Sequence, residues 1–299
     1  MVSLNVLPDP AKLAQSAADF ICGRVRQNPE LKVLVATGNT PMLTYAELAR
    51  RATAGEVDFS RVTAFQLDEY ADLAEGDPRS LWGWMERSFV RPLGITRVVR
   101  LTDPAIFEAR VRELGGVDLA ILGLGPNGHL GFNEPPSAAN APTRWLDLTP
   151  ESLQSNQMYW EGQTVPTRAI TAGMNVILAA REVLLLVTGE AKRDILHRAL
   201  AGNPSPDLPA SYLQHVNLTV LADEAAASLA LCWCWGSTPE TPRPWPCWLI
   251  STALCTAQGG PGQPTSTSRK AGRNRPFRTR CRPRGMMRDG VPSPCRQCA

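Results

Sequence analysis

Short apolar runs alternate with stretches of helical periodicity along the first three-quarters of the chain. The runs at 31–36 (LKVLVA), 62–67 (VTAFQL), 117–124 (VDLAILGL), 183–187 (VLLLV) and 218–221 (LTVL) contain few polar positions. They read as strands covered on both faces rather than strands with one wet face. Between them, Leu13, Ala17, Phe20, Ile21 and Val25 recur at helical spacing, after an Asp9-Pro10 start and before an Asn28-Pro29 stop. Further helices are expected over 42–54, over 79–90 (where Leu81, Trp82, Met85 and Phe89 share a stripe), over 107–114 and over 190–200. Strands apolar on both faces and separated by helices make an α/β fold. It is a doubly wound, mainly parallel, Rossmann-like sheet with helices on both faces. Such sheets take their ligands outside the carboxyl ends of the strands.

The turns that follow the strands therefore matter most. Thr37-Gly38-Asn39-Thr40-Pro41 follows the first run and opens a helix. Backbone N–H groups at such a turn suit an anion such as phosphate, and an ordinary Thr-capped turn is an equal reading of this motif alone. Asp68-Glu69-Tyr70 follows the second run; adjacent acids there can supply a general base, the plain alternative being a helix cap or a solvated loop. The run at 117–124 leads into GLGPNGHLGFNEP (123–135), where Gly125, Gly128 and Gly131 surround His129 and Glu134 lies five residues on. Histidine suits proton transfer near neutral pH, and a carboxylate within reach could orient it. Gly123, Gly125 and Gly128 nominally match G-x-G-x-x-G, but they lie late in the chain, whereas dinucleotide sites use the first βα turn.

Charge changes the picture at the C-terminal end. The 299 residues carry a formal net charge of +3, divided as −6 over residues 1–230 and +9 over 231–299. Seven of the eight cysteines and ten of the 26 prolines fall in the second part. One cysteine in the first part is not a disulfide scaffold, no apolar run reaches the roughly 18–20 residues of a bilayer span, and MVSLNVLPDPAKLAQ has no secretory pattern. Residues 1–230 read as an acidic, intracellular catalytic domain. Residues 231–299 read as a Cys/Trp/Pro/Arg-rich tail, disordered or non-native, as out-of-frame translation would produce. A basic arm for polyanions is the alternative. A metal site at Cys232, Cys234, Cys247 and Cys255 has neither zinc spacing nor a histidine.

TGNTP, FQLDEY, GLGPNGHLGFNEP and VTGEAK, in this order, resemble the glucosamine-6-phosphate deaminase (isomerase) family over residues about 10–230. Thr143-Arg144, Thr149-Pro150-Glu151, VPTRAIT (165–171) and Ala222-Asp223-Glu224 belong to the same resemblance. The related 6-phosphogluconolactonases share the fold and the G-H step, but not F-N-E-P or D-E-Y. The resemblance implies conversion of glucosamine 6-phosphate to fructose 6-phosphate and ammonia, in the cytoplasm, with no cofactor and no metal. Asp68 would move the proton between C2 and C1, His129 would assist ring opening, and Glu134 would partner the histidine. Asn127 stands where the family commonly has aspartate, and its amide oxygen could accept a hydrogen bond from the imidazole. Thr37, Gly38, Asn39, Thr40 and Lys192 would hold the phosphate, with Asn39 tolerating a left-handed turn. The family's phosphate arginine is Met158 here, so phosphate affinity is in doubt unless Arg144 or Arg168 compensates.

After Thr143-Arg144 the family's activator pattern gives way to Trp145, Leu146 and Asp147, which implies simple saturation kinetics. Alternatives are another hexosamine-phosphate epimer, a lactonase-like hydrolase, or a sugar-phosphate sensor without turnover. The expected partner is the sugar phosphate, with no nucleic acid and no membrane; homo-oligomerisation stays open. His197 and His215 have no motif around them, Cys22 reads as a buried thiol, and one of Trp82 and Trp84 is expected to be exposed or to cover the neighbouring site.

Overall fold

The computed structural model describes residues 1–232 except 75 and 161. The chain begins with strand β1 (Val2–Leu7), helix α1 (Pro10–Gln27), β2 (Lys32–Val35), α2 (Met42–Thr53), β3 (Thr63–Gln66) and the short β4 (Asp68–Tyr70). It continues through α3 (Leu81–Met85), β5 (Arg97–Val99), α4 (Pro104–Glu113), β6 (Leu119–Gly123), β7 (Arg144–Asp147), α5 (Pro150–Asn156) and β8 (Arg168–Thr171). The last elements are α6 (Met174–Leu178), β9 (Glu182–Val187), α7 (Arg193–Ala201), β10 (Leu218–Asp223) and α8 (Glu224–Cys232).

Seven strands form one sheet in the order β1-β10-β9-β6-β2-β3-β5, and every neighbouring pair runs parallel. Alternate residues of its central strands enter two separate cores. Leu34, Phe65, Ala120, Leu122, Val183 and Leu185 pack with Phe107 of α4, Met174 of α6, Ile195 of α7 and Ala226 of α8. Val33, Val35, Ala64, Ile121, Leu184 and Leu186 pack with Leu13 and Ile21 of α1 and Leu48 of α2. Burial on both faces is why these strands read as continuous apolar runs. The expected doubly wound sheet is present, with its five predicted strands at its centre.

Local signals place the helix starts. Asp9 Oδ1 accepts from the Lys12 backbone N–H at 2.7 Å and Pro10 follows it; α1 ends at Gln27, ahead of Asn28-Pro29. Asp103 caps α4 in the same way, its Oδ1 accepting from Ile106 at 2.9 Å.

Three features differ from the expected layout. The edge strands β1 and β5 were not among the predicted runs, because edge positions are only partly buried and need no continuous apolar stretch. A separate antiparallel sheet, β4-β8-β7, includes the Asp68-Glu69-Tyr70 segment expected as a cap or loop. The helix expected over 190–200 is a single tight turn at Glu190–Lys192 followed by α7. The tail expected after 230 lies outside the described residues, apart from the end of α8. Among the described residues no helix is long and apolar enough to cross a membrane.

Candidate active site

The carboxyl ends of β2, β3, β6 and β9 converge on a cavity of about 360 Å³. Thr37, Gly38, Asn39, Thr40, Asp68, His129 and Lys192 all line it, so the residues singled out from sequence meet in one place. Asn127 and Glu134 stand behind His129, out of the lining.

Asp68 is the first residue of β4 and is 8% exposed. Gly131 (φ +59°) approaches it so closely that a Cβ there would lie 3.4 Å from Asp68 Oδ2 and 2.8 Å from Thr171 Oγ1. The glycine is therefore required by backbone conformation and by space. Burial, and secondarily the Glu69 carboxylate, push the Asp68 pKa up to about 8, against a hydrogen bond with Thr37. Glu69 has a different task. Its Oε1 accepts the backbone N–H groups of Tyr70 and Leu81, both at 2.9 Å, and its Oε2 accepts from Trp82 at 2.8 Å and from Gln66 Nε2 at 3.0 Å. It ties β4 to the start of α3, and of the two adjacent acids only Asp68 faces the cavity.

His129 lies flat over Gly125, where a Cβ would come within 2.3 Å of Nε2. Its Nδ1 is 3.2 Å from Glu134 Oε2, which leaves Nε2 as the ring nitrogen for the cavity. Glu134 is 6% exposed and heavily hydrogen-bonded. Its Oε2 accepts from Asn127 Nδ2 at 2.9 Å and from Thr149 Oγ1 at 3.3 Å, and Ser152 Oγ donates a short bond to Oε1. Burial, the largest influence, raises the Glu134 pKa; His129, Ser152 and Asn127 together outweigh it and hold the group at about 2. The carboxylate thus stays ionised beside the ring.

Asn127 departs from its expected role. Its amide nitrogen donates to Glu134 and its Oδ1 accepts the His129 backbone N–H at 3.2 Å, so it acts on the partner carboxylate instead of on the imidazole. The turn at Gly128 (φ +84°) points the Asn127 side chain that way. Thr149 and Ser152 were not singled out as site residues. Their signal lay in Thr149-Pro150, where Thr149 Oγ1 also accepts the Ser152 backbone N–H at 3.3 Å to cap α5.

The anion-binding end is built from backbone and one cation. The positive φ of the first turn falls on Gly38 (+117°), and Asn39 keeps an ordinary backbone, because the glycine takes the left-handed step. Pro41 precedes α2 and no side chain caps it; the Met42 N–H turns back to the Asn39 carbonyl at 3.2 Å, so the helix start beside the cavity carries no capping side chain to compete with an anion. Lys192 is the one cation among the described residues lining the cavity, and burial lowers its pKa. Its turn is anchored because the Gly189 N–H bonds both Asp223 oxygens, at 3.0 and 2.9 Å. Asp223 Oδ1 in turn caps α8 through Ala226 at 2.8 Å, which gives the Ala222-Asp223-Glu224 motif its use.

Met158 lines the cavity, is 68% exposed and carries no charge. Neither expected substitute reaches in. Arg144 donates to Asn133 Oδ1 and Ser137 Oγ, both at 2.8 Å, and Arg168 is 54% exposed, 3.9 Å from Asp147. Both leave from the antiparallel sheet in directions set by these partners, away from the cavity. Trp84 and Tyr159 close the cavity's side, their ring centroids 5.2 Å apart, while Trp82 packs under Arg100. Among the described residues no group of three or more His, Cys, Asp or Glu side chains could hold a metal ion.

Comparison with known proteins addresses the family and the fold. Residues 8–221 match the family model of glucosamine-6-phosphate isomerases and 6-phosphogluconolactonases. The chain is 38% identical to a glucosamine-6-phosphate deaminase of Rhodopirellula baltica over 77% of its own length and 96% of that protein. It is also 38% identical to one of Halothermothrix orenii, over 73% and 95% respectively. Among solved structures, a monomeric glucosamine-6-phosphate deaminase superposes with a TM-score of 0.72 at 33% identity, covering 76% of this chain and 99% of that one. The 6-phosphogluconolactonase of Trypanosoma brucei (TM-score 0.60, 19% identity, 77% of this chain and 98% of that one) shares the fold.

Proposed function

The chain belongs to the family of glucosamine-6-phosphate isomerases and 6-phosphogluconolactonases, and from that premise we propose that it converts glucosamine 6-phosphate and water to fructose 6-phosphate and ammonia. The observation that carries this reading is the pairing within one cavity of a buried, cavity-facing Asp68 with a His129–Glu134 dyad 3.2 Å apart.

In this reading the phosphate sits on the Thr37–Thr40 turn and Lys192, with the sugar carbons reaching Asp68. His129 Nε2 takes the C1 hydroxyl proton and passes it to the ring oxygen as the pyranose opens to the aldehyde, and Glu134 stabilises the imidazolium formed between the two transfers. The carboxylate of Asp68 takes the proton from C2, giving an enolamine, and delivers it to C1. The imine so formed at C2 adds water and releases ammonia. In the empty site Asp68 titrates at about 8 and is mostly protonated at neutral pH. The ammonium group of the arriving sugar, placed beside it, favours the carboxylate and so prepares the base only when substrate is present. Burial also shields the transferred proton from exchange with bulk water.

Thr143 and Arg144 support non-allosteric behaviour. The Thr143 N–H donates to Glu108 Oε1 at 2.8 Å, its Oγ1 accepts from Gly173 at 3.1 Å, and Arg144 is engaged as described, so these residues brace the small sheet. Simple saturation by substrate follows. A phosphorylated sugar does not cross a bilayer, which supports a cytoplasmic place for the enzyme beside the enzymes that make and use sugar phosphates. The test is ammonia release from glucosamine 6-phosphate by the full chain, lost in Asp68→Asn; sugar binding without turnover would replace this reading with that of a sensor.

A further inference from the structure

The anion-binding end has an uncharged Met158 facing it, and no arginine among the described residues lining the cavity. The next residue along the same short turn has a polar group to offer. Tyr159 closes the turn Gln157–Tyr159 and lines the cavity together with Asn39, Thr40 and Lys192. It also lines a second, larger cavity of about 740 Å³, which shares Asn39, Tyr70, Leu81 and Trp84 as walls, so Tyr159 is part of the partition between the two.

Its ring is held. Trp84 meets it nearly edge-on, at 5.2 Å and 66°, and Trp84 Nε1 is anchored 3.0 Å from the sulfur of Met42, the first residue of α2. The tyrosine is thereby referenced to the helix start on which the phosphate would sit. Tyr159 and Asn39 line the same stretch of the cavity, which sets the hydroxyl toward the anion-binding turn; burial raises its pKa and the nearby Asn39 backbone amide lowers it. The phenolic O–H has a proton to donate to an anion there.

We propose that the Tyr159 hydroxyl is a phosphate-binding, specificity-determining group of this site, donating to a substrate phosphate oxygen beside Asn39 where Met158 cannot. The proposal deepens the deaminase reading and rests on it for the identity of the sugar phosphate. Binding of a phosphate group by Tyr159 can nevertheless be measured apart from turnover.

The test is Tyr159→Phe in the full chain, a change that keeps the ring against Trp84 and removes only the oxygen. KM for glucosamine 6-phosphate and the Kd for inorganic phosphate, read by titration calorimetry, are each expected to rise about tenfold, as for a lost hydrogen bond to a charged group. kcat should change far less than KM. Adding Met158→Arg to Tyr159→Phe should restore phosphate affinity. Phosphate affinity that is unchanged or tighter in Tyr159→Phe overturns the proposal, the latter by making the hydroxyl an occupant of the anion's place. If the unaltered chain releases no ammonia, the deaminase reading fails alone, and the phosphate titration still decides the role of Tyr159.

Discussion

The two ends of the cavity are built on different principles. At the proton-transfer end every group is over-determined. Glu134 accepts hydrogen bonds from four side chains, Gly131 beside Asp68 has no room for a Cβ against Thr171, and His129 covers Gly125. At the anion-binding end the donors are backbone N–H groups, one half-buried lysine, and side chains of the turn at Gln157–Tyr159. Proton transfer needs pKa values set by burial and a geometry that does not give. Holding a dianion needs only converging donors, which many residue types can supply. Against the pattern of the resemblance, Asn39 and Met158 depart at one end and Asn127 at the other, while Asp68, His129 and Glu134 keep the residue types that proton transfer requires.

The contrast can be tested from its strongest point downward. Asp68→Asn should reduce kcat by ~10³-fold or more, because no other carboxylate among the described residues lines the cavity. The same variant should be more stable. Asp68 ionises near pH 4 in an unfolded chain and near 8 in the fold, so its contribution to stability is complete below the lower value and is lost as pH rises towards the upper. Thermal melts of Asp68→Asn and the parent should differ by a few degrees at pH 8 and converge towards pH 4.

Glu134→Gln should lower kcat by ~10²-fold with little change in KM, in steady-state ammonia release. Lys192→Met should show the reverse, raising KM ~30-fold, equivalent to about 2 kcal/mol, with kcat largely kept. If both variants moved kcat and KM alike, the division of labour between the two ends would be wrong.

The pH profile sharpens the picture further. The rising limb of kcat/KM should centre near pH 8, set by free Asp68, and that of kcat should lie lower, because the substrate ammonium favours the carboxylate. The smallest effect belongs to Asn127→Asp. A second carboxylate in place of the amide, 2.9 Å from Glu134 Oε2, would add negative charge to the site and favour the protonated form of Asp68, so the acid limb should move upward by a fraction of a unit to one unit. An unmoved limb would mean that residue 127 has no electrostatic influence on Asp68.

Much of this was legible in the sequence. The five central strands were visible because burial on both faces writes itself as an uninterrupted apolar run, and the start of α1 was visible as Asp9-Pro10; the same signal at Asp103-Pro104 places α4 three residues ahead of its expected start. The candidate site was legible too, since glycine, histidine and acid at a strand end have few other uses in this pattern. The edge strand β1 was hidden by its partial burial, and the antiparallel sheet by strands of three or four residues, too short to carry a period. Glu69 could not be separated from Asp68, because the distinction lies in which neighbour the backbone of α3 approaches. The hydrogen-bond direction of Asn127 depends on a glycine turn whose consequence is three-dimensional.

The sequence alone carried the layer architecture and the candidate residues Asp68, His129, Glu134 and Lys192. Hydrophobic periodicity and strand-end chemistry are local properties that a linear string records. Tertiary structure decided the roles. Only the folded chain brings Thr149 and Ser152 to Glu134, removes Arg144 and Arg168 from the cavity, and sets Tyr159 beside Asn39. These pairings join groups from different elements, and a carboxyl's charge state or an arginine's reach is a property of what surrounds it in space.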